Sequence, residues 1–285
     1  MIARLFRWGL PLLATARLAA QAAAPEVLLR LDDVGLNHAV NVAVERVAAT
    51  GMPFSVSVLF AAPRYEEAVA ILKRHPQITV GVHLAVNSEW RDYRWGPVLG
   101  PAAVPSLVDA DGWFPASVDA FLASRFDLGE IEREIDAQVR RAIGTGLRIT
   151  YVDTHMGTLN STPALRATVE RVARKHRLAV SRTFGESYFT LWGVPVDSKK
   201  QSLLARLAVA KRDTVNLIVV HAAELLPEMT TLFDLNAPAQ NASGAGVAAH
   251  RKSELDAMLS AELAQLVRSG AIRLITYRHL VERRR

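Results

Sequence analysis

Val27–Leu31 reads VLLRL and runs directly into Asp32-Asp33-Val34-Gly35. The apolar run is short and stops at an acidic turn, so it predicts a buried strand with polar residues at its carboxyl end. The same unit recurs outward from it. Asn37 can cap a helix that carries Val40, Val44 and Val47 on one face; Gly51 and Pro53 end it. Phe54–Phe60 (FSVSVLF) predicts a second strand, Arg64–Arg74 a helix, and Ile78–Leu84 (ITVGVHL) a third strand. Asn87–Ser117 then holds much Pro, Gly and Trp with little periodicity. So long a loop in a compact domain is often functional. Asp127, with Glu130 at capping-box spacing, opens a helix lined by Leu128, Ile131, Ile135 and Val139, and Gly144 can close it. Leu147–Val152 is a fourth strand, and Thr162-Pro163 starts the next helix. Leu178–Val180, Val215–Val220 and Ile272–Thr276 are the fifth to seventh strands. Helices over Lys199–Ala210 and Ser253–Ser269 separate the last three. Strands alternating with helices imply a parallel sheet covered by helices, either a closed barrel or an open doubly wound sheet. Asp32-Asp33-Val34-Gly35 stands where a nucleotide-binding sheet would carry its glycine-rich loop, which weakens that reading.

Composition narrows the chemistry. The 285 residues are half apolar, enough for a large core, and include no Cys. A disulfide framework, a thiolate zinc site and a thiol nucleophile are therefore excluded, and any metal must sit on His and carboxylates. The formal charge of +6 invites a nucleic-acid reading, but its location argues otherwise. Residues 1–24 contain Arg4, Arg7 and Arg17, no acid, an apolar stretch from Trp8 to Ala16 and an Ala-rich exit. That pattern predicts an export signal cleaved near Ala24, too short to span a bilayer. Without it, 31 basic residues face 28 acidic ones, a balance of +3 over 261 residues. No nucleic-acid partner is expected. Residues 25–285 are expected to form one domain of an exported protein, periplasmic or extracellular, with no stable membrane span after cleavage.

The ionisable residues fall in register. Asp32 and Asp33 follow strand one, His83 ends strand three, Asp153 and His155 follow strand four, Arg182 follows strand five and His221 follows strand six. Parallel strands put their carboxyl ends on one face, where βα barrels carry their active sites. Adjacent Asp32 and Asp33 repel unless one is protonated or a cation sits between them. Asp153 and His155 alternate along a strand, so both can face one side. His38, His75, His176, His250 and His279 lie in or beside helices and read as surface or structural. A divalent cation held by one carboxylate and two imidazoles keeps positions open for water and can polarise a carbonyl. A neighbouring carboxylate can take the water proton, and a cationic His can stabilise the oxyanion and protonate a leaving nitrogen. Metal-assisted hydrolysis of an amide or ester is the chemistry this set suits.

The run Leu31-Asp32-Asp33-Val34-Gly35-Leu36-Asn37 resembles the opening motif of the YdjC-like (ChbG/HpnK) carbohydrate deacetylases. Val80-Gly81-Val82-His83-Leu84 and Val152-Asp153-Thr154-His155, with Pro163 after it, resemble the family's next two motifs. Pro105–Asp109 with Gly112 and Phe114, and Arg251 with Glu254-Leu255, match further segments in order. The resemblance implies a single irregular βα barrel of seven strands (TIM-like), with a long loop after the third strand. It also implies N-deacetylation of an acetylated amino sugar with one divalent metal, usually magnesium, with zinc the alternative. By motif Asp33, His83 and His155 would be the ligands, Asp32 the general base and a cationic His221 the general acid. The sequence departs from the family's His-Pro at His221, which Ala222, Ala223 and Glu224 follow, and it lacks further histidines after His155. We expect Arg182 to orient Asp32, and Trp90, Tyr93, Trp95 and Trp113 in the long loop to stack on sugar rings. A non-catalytic glycan-binding barrel and a metal-dependent phosphoesterase are the rival readings. The latter would want more carboxylates, for two metals.

Overall fold

A computed structural model describes residues 24–237 and 246–284. The expected export segment lies outside them except for Ala24. The strands are β1 Glu26–Val34, β2 Ser55–Val58, β3 Thr79–Leu84, β4 Ile149–Thr154, β5 Ala179–Val180, β6 Ser187–Thr190, β7 Asn216–Val220 and β8 Arg273–Ile275. They pair in the order β5-β4-β3-β2-β1-β7-β6, all parallel. Along one edge of β1, Glu26–Leu28 pair with β8 and Arg30–Val34 with β2, while β7 covers the other edge. The path's ends, β5 and β6, share no ladder among the described residues, so the barrel is split there. A short turn spans the split: the Arg182 N–H donates to Glu186 Oε1 at 2.9 Å, and the Arg182 guanidinium lies 4.8 Å from the Tyr188 ring centre.

Strand periodicity sorts the side chains into two environments. Val27, Leu29, Leu31, Val56, Val58, Val80, Val82, Val152, Ile218 and Val220 face outward and form one core with the surrounding helices. The helices bring matching faces: Val40, Val44 and Val47 from His38–Ala48, and Ile131, Ile135 and Val139 from Leu128–Gly144. The alternate residues face the barrel interior. At its amino-terminal end Leu28, Tyr151, Leu217, Val219, Ile275 and Tyr277 pack as a second, small apolar cluster. Gly81 is needed there, because a Cβ on it would lie 2.4 Å from the Tyr151 ring. That ring reaches across β3 so that its hydroxyl donates to Val56 O at 2.8 Å. Above this plug the interior turns polar, and the cluster described below begins.

The helix-covered parallel barrel expected from the sequence is present, with an eighth strand. Ser187–Thr190 (SYFT) is a half-exposed edge strand with no apolar run to announce it. The single helix expected over Ser253–Ser269 is two, Gly246–Met258 and Ala261–Arg268. Ser260 breaks it by accepting the Leu263 N–H as an N-cap. Asn37, Asp127 and Thr162 cap their helices as the sequence predicts.

Candidate active site

In a regular strand, neighbouring residues point to opposite faces. Asp32 and Asp33 escape this because Asp33 has a left-handed backbone, φ 60°, and the β1–β2 register slips between Leu31 and Val34. Asp tolerates that region better than most residues. Both carboxylates thus turn into the same cavity, of about 380 Å³, at the carboxyl end of the barrel. His83 ends β3, and Asp153 lies beside it on β4 in direct register. His155 begins the turn after β4.

Three atoms able to ligate a metal converge. Asp33 Oδ1 is 3.4 Å from His83 Nε2 and 3.2 Å from His155 Nδ1, and the two ring nitrogens are 3.3 Å apart. Donors about 2.1 Å from a zinc-sized ion in a tetrahedral set would be spaced about 3.4 Å apart. Each group's far side is anchored. Arg251 Nη2 donates to Asp33 Oδ2 at 2.6 Å, Glu89 Oε2 is 2.9 Å from His155 Nε2, and Asp153 Oδ2 is 3.1 Å from His83 Nδ1. Carboxylates behind ligating imidazoles are the usual support of metal sites. Asp33 Oδ1 is buried and faces the two ring nitrogens, so an ion between them would meet three donor atoms at once. The donor set and its spacing fit a divalent cation.

The electrostatics agree. Burial alone would lower the His83 pKa, but Asp32, Asp153 and Asp33 raise it to about 9. His155 is likewise raised well above the usual range, Glu89 and Asp33 overcoming burial. Two histidines driven toward the cationic form mark a pocket with surplus negative potential. Asp33 stays well below the carboxylate range despite burial, held down by Arg251 and both rings. Asp153 falls to about 2, where Arg30 and His83 outweigh its burial. Asp32 moves the other way: burial, with Asp153 adding to it, outweighs Arg30 and His83 and raises its pKa.

Several expected roles change. The group that orients Asp32 is Arg30, whose Nε and Nη2 donate to Oδ1 and Oδ2 at 2.7 Å each. Arg182 sits exposed on the cavity wall, stacked on Tyr188. His221 lines the cavity, but burial beside Arg251, His83 and His155 lowers its pKa to about 3 despite Asp33, so it is neutral and not cationic. Its backbone N–H donates to Glu254 Oε2 at 2.6 Å, and Glu254 Oε1 accepts from the fully buried Lys199. The four loop aromatics do not line the cavity, because the loop packs on itself and on the barrel. Trp90 and Trp95 are buried, with Trp90 against the Arg251 guanidinium at 5.3 Å. The Tyr93 hydroxyl donates to Leu36 O, and Trp113 is exposed away from the cavity. The aromatic rings that line it are Tyr188 and Trp192. Sequence reasoning missed Arg30, Glu89 and Lys199. Only Arg30 carried a signal, a lone charge inside the apolar run VLLRL.

The sequence model of the YdjC-like protein family matches residues 26–269. The chain belongs to that family. This YdjC-like protein is 26% identical over 263 residues to a protein of Brevibacillus brevis named carbohydrate deacetylase, covering 90% of this chain and 99% of the relative. A second carbohydrate deacetylase, from Thermoanaerobacter pseudethanolicus, is 24% identical over 265 residues, covering 88% and 97%. Among solved structures, a protein of Enterococcus faecalis V583, provisionally named for cellobiose-phosphate cleavage, superposes with a TM-score of 0.72 at 22% identity. The match covers 90% of this chain and 99% of that one, and shows that the two chains share one fold.

Proposed function

We propose that the protein is a metal-dependent carbohydrate deacetylase that hydrolyses the acetamide of an N-acetylated amino sugar. The observation that carries this reading is the Asp33–His83–His155 convergence beside Asp32, inside a cavity with two aromatic walls. The full-length relatives named carbohydrate deacetylase support the substrate class. Asp33, His83 and His155 would hold one divalent cation, which when bound polarises the acetyl carbonyl and acidifies water. Two imidazoles among three protein donors suit zinc better than magnesium, which prefers oxygen.

The chain's own residues supply the proton chemistry. Arg30 grips both oxygens of Asp32 and fixes the carboxylate toward the cavity. Asp32 takes a proton from the attacking water, a task that its raised pKa favours. A neutral His221 has no proton to spare as an acid at neutral pH, so Asp32 returns that proton to the departing amine. His221 remains on the cavity wall as a neutral imidazole, its main chain held by Glu254. Tyr188 and Trp192 offer faces for a pyranose ring. Residues 1–24 act as an export signal; amino-terminal sequencing of secreted protein should begin near Pro25.

The test is acetate release from chitooligosaccharides, peptidoglycan fragments and acetylated lipids, with EDTA as control. Metal-loaded protein should release acetate from at least one class, and EDTA should stop it. Release from none of them, by folded and metal-loaded protein, would refute the enzyme reading. Asp32→Asn separates an enzyme from a glycan-binding barrel, since only the enzyme would lose rate while keeping its ligand.

A further inference from the structure

The cavity contains a second set of groups spaced for a cation. Asp32, His83 and Asp153 each offer an atom, all within 4.8 Å of one another. His83 belongs to both sets: its Nε2 faces Asp33 and His155, and its Nδ1 faces Asp153. Two such triads sharing one imidazole have the layout of a binuclear centre.

The place of the second ion is taken by a side chain. Arg30 Nη2 lies 2.7 Å from Asp32 Oδ2 and 2.8 Å from Asp153 Oδ2, so one nitrogen bridges the two carboxylates. Its other nitrogens are engaged as well, Nε with Asp32 Oδ1 and Nη1 with Ser181 Oγ at 2.7 Å. Ser181 is backed by the Tyr277 hydroxyl at 2.6 Å. The guanidinium is buried and every nitrogen has a partner, so it cannot step aside without leaving a buried cation unpaired.

We propose that Arg30 is a built-in substitute for a second metal ion, which restricts the centre to one divalent cation and keeps Asp32 free as a base. The inference rests on the reading of Asp33, His83 and His155 as ligands. Charge supports it. Among the described residues, four buried carboxylates, Asp32, Asp33, Asp153 and Glu89, contact the two imidazoles or Arg30, while burial pushes the pKa of Asp234 on the cavity wall up toward the neutral form. With neutral imidazoles, Arg30, Arg251 and one divalent ion balance them. A second divalent ion beside Arg30 would leave a buried excess of two positive charges. With Arg30 replaced by a neutral residue, one divalent ion leaves a deficit of one, and the Asp32–His83–Asp153 set becomes open to another. The same argument speaks against the two-metal phosphoesterase reading.

The test counts ions. EDTA-treated wild type, Arg30→Ser, Arg30→Gln, Arg30→Lys and Arg30→Ser with Asp153→Asn are equilibrated with zinc. Bound metal is measured by plasma emission, and circular dichroism checks folding. Wild type should hold one zinc per chain, Arg30→Ser and Arg30→Gln two, Arg30→Lys one, and the double variant one again. Wild type holding two, or a folded Arg30→Ser or Arg30→Gln holding one, overturns the inference. Wild type holding none would instead refute the ligand assignment beneath it. Arg30→Gln, which keeps a partner for Ser181, keeps the test decisive if Arg30→Ser does not fold.

Discussion

Removing the carboxylate of Glu89 should weaken metal binding without touching a ligand. Glu89 Oε2 is 2.9 Å from His155 Nε2, and this contact aims Nδ1 at Asp33 Oδ1 and His83 Nε2. Glu89 is buried, so its charge acts on the ring with little screening, and it is the largest influence raising the His155 pKa. Loss of such a support typically lowers metal affinity 10- to 100-fold, about 1.4 to 2.8 kcal/mol. Glu89→Gln keeps an acceptor and the shape, so it should sit near tenfold. Glu89→Ala also frees the ring to rotate and should approach a hundredfold.

The charge has a second effect of opposite sign. Without Glu89 the His155 pKa falls, so protons compete less with the metal. The deficit should therefore be largest at high pH and shrink as pH falls. Isothermal titration of EDTA-treated protein with zinc at pH 7 and pH 9 measures both effects. Equal zinc affinity in wild type and Glu89→Ala at pH 9 would refute the placement of His155 Nδ1 on the metal.

Four further outcomes follow from the same structure. Asp32→Asn should lower kcat for acetate release by about 10²- to 10⁴-fold, the usual worth of a positioned acid–base group, while zinc affinity by titration changes less than it does in Asp33→Asn. Zinc binding at pH 7 should release protons from His83 and His155, since both pKa values are raised above 6.5 and both rings are charged below them; titration in buffers of different ionisation enthalpy counts the protons. By the same sign, the metal-free protein has the full stabilising effect of His83 below pH 6.5 and loses it as pH rises through about 9, so its Tm should fall over that window. Gly81→Ala would push a methyl to within 2.4 Å of the Tyr151 ring, an overpacking that costs about 1–3 kcal/mol and should appear as a lower Tm in thermal denaturation.

Most of the barrel was legible because its signals are local. Apolar runs such as VNLIVV and caps such as Asn37 and Thr162-Pro163 depend on neighbours in sequence. So did the candidate ligands, since parallel strands bring Asp33, His83 and His155 to one end whatever the details. What escaped depends on distance in space. Glu89 supports His155 from 66 positions away, and Lys199 pairs with Glu254 across 55, with no pattern linking either pair. The four loop aromatics misled because their composition announces a surface for sugars. Trp90 and Trp95 are instead buried under a loop whose Val98 and Leu99 N–H groups dock on the Glu134 carboxylate. Arg182 has only its place after a strand to recommend it, whereas Arg30, two residues before Asp32 on the same face, is the closer cation.

Asp32 and Asp33 show how environment assigns roles that residue type cannot. They are adjacent, identical and buried alike. Asp33 turns left-handed, meets Arg251 with one oxygen and two imidazoles with the other, and is held toward its ionised form, as the proposed ligand role requires. Asp32 stays in the strand, where Asp153 on β4 opposes its ionisation and Arg30 only partly offsets the burial. One carboxylate is thereby held toward its charged form and the other toward its neutral form, the division that the proposed ligand and base roles require. The left-handed turn at Asp33 is what makes the division possible. A regular strand would have buried one of the two among the outer helices, where a carboxylate would have no partner.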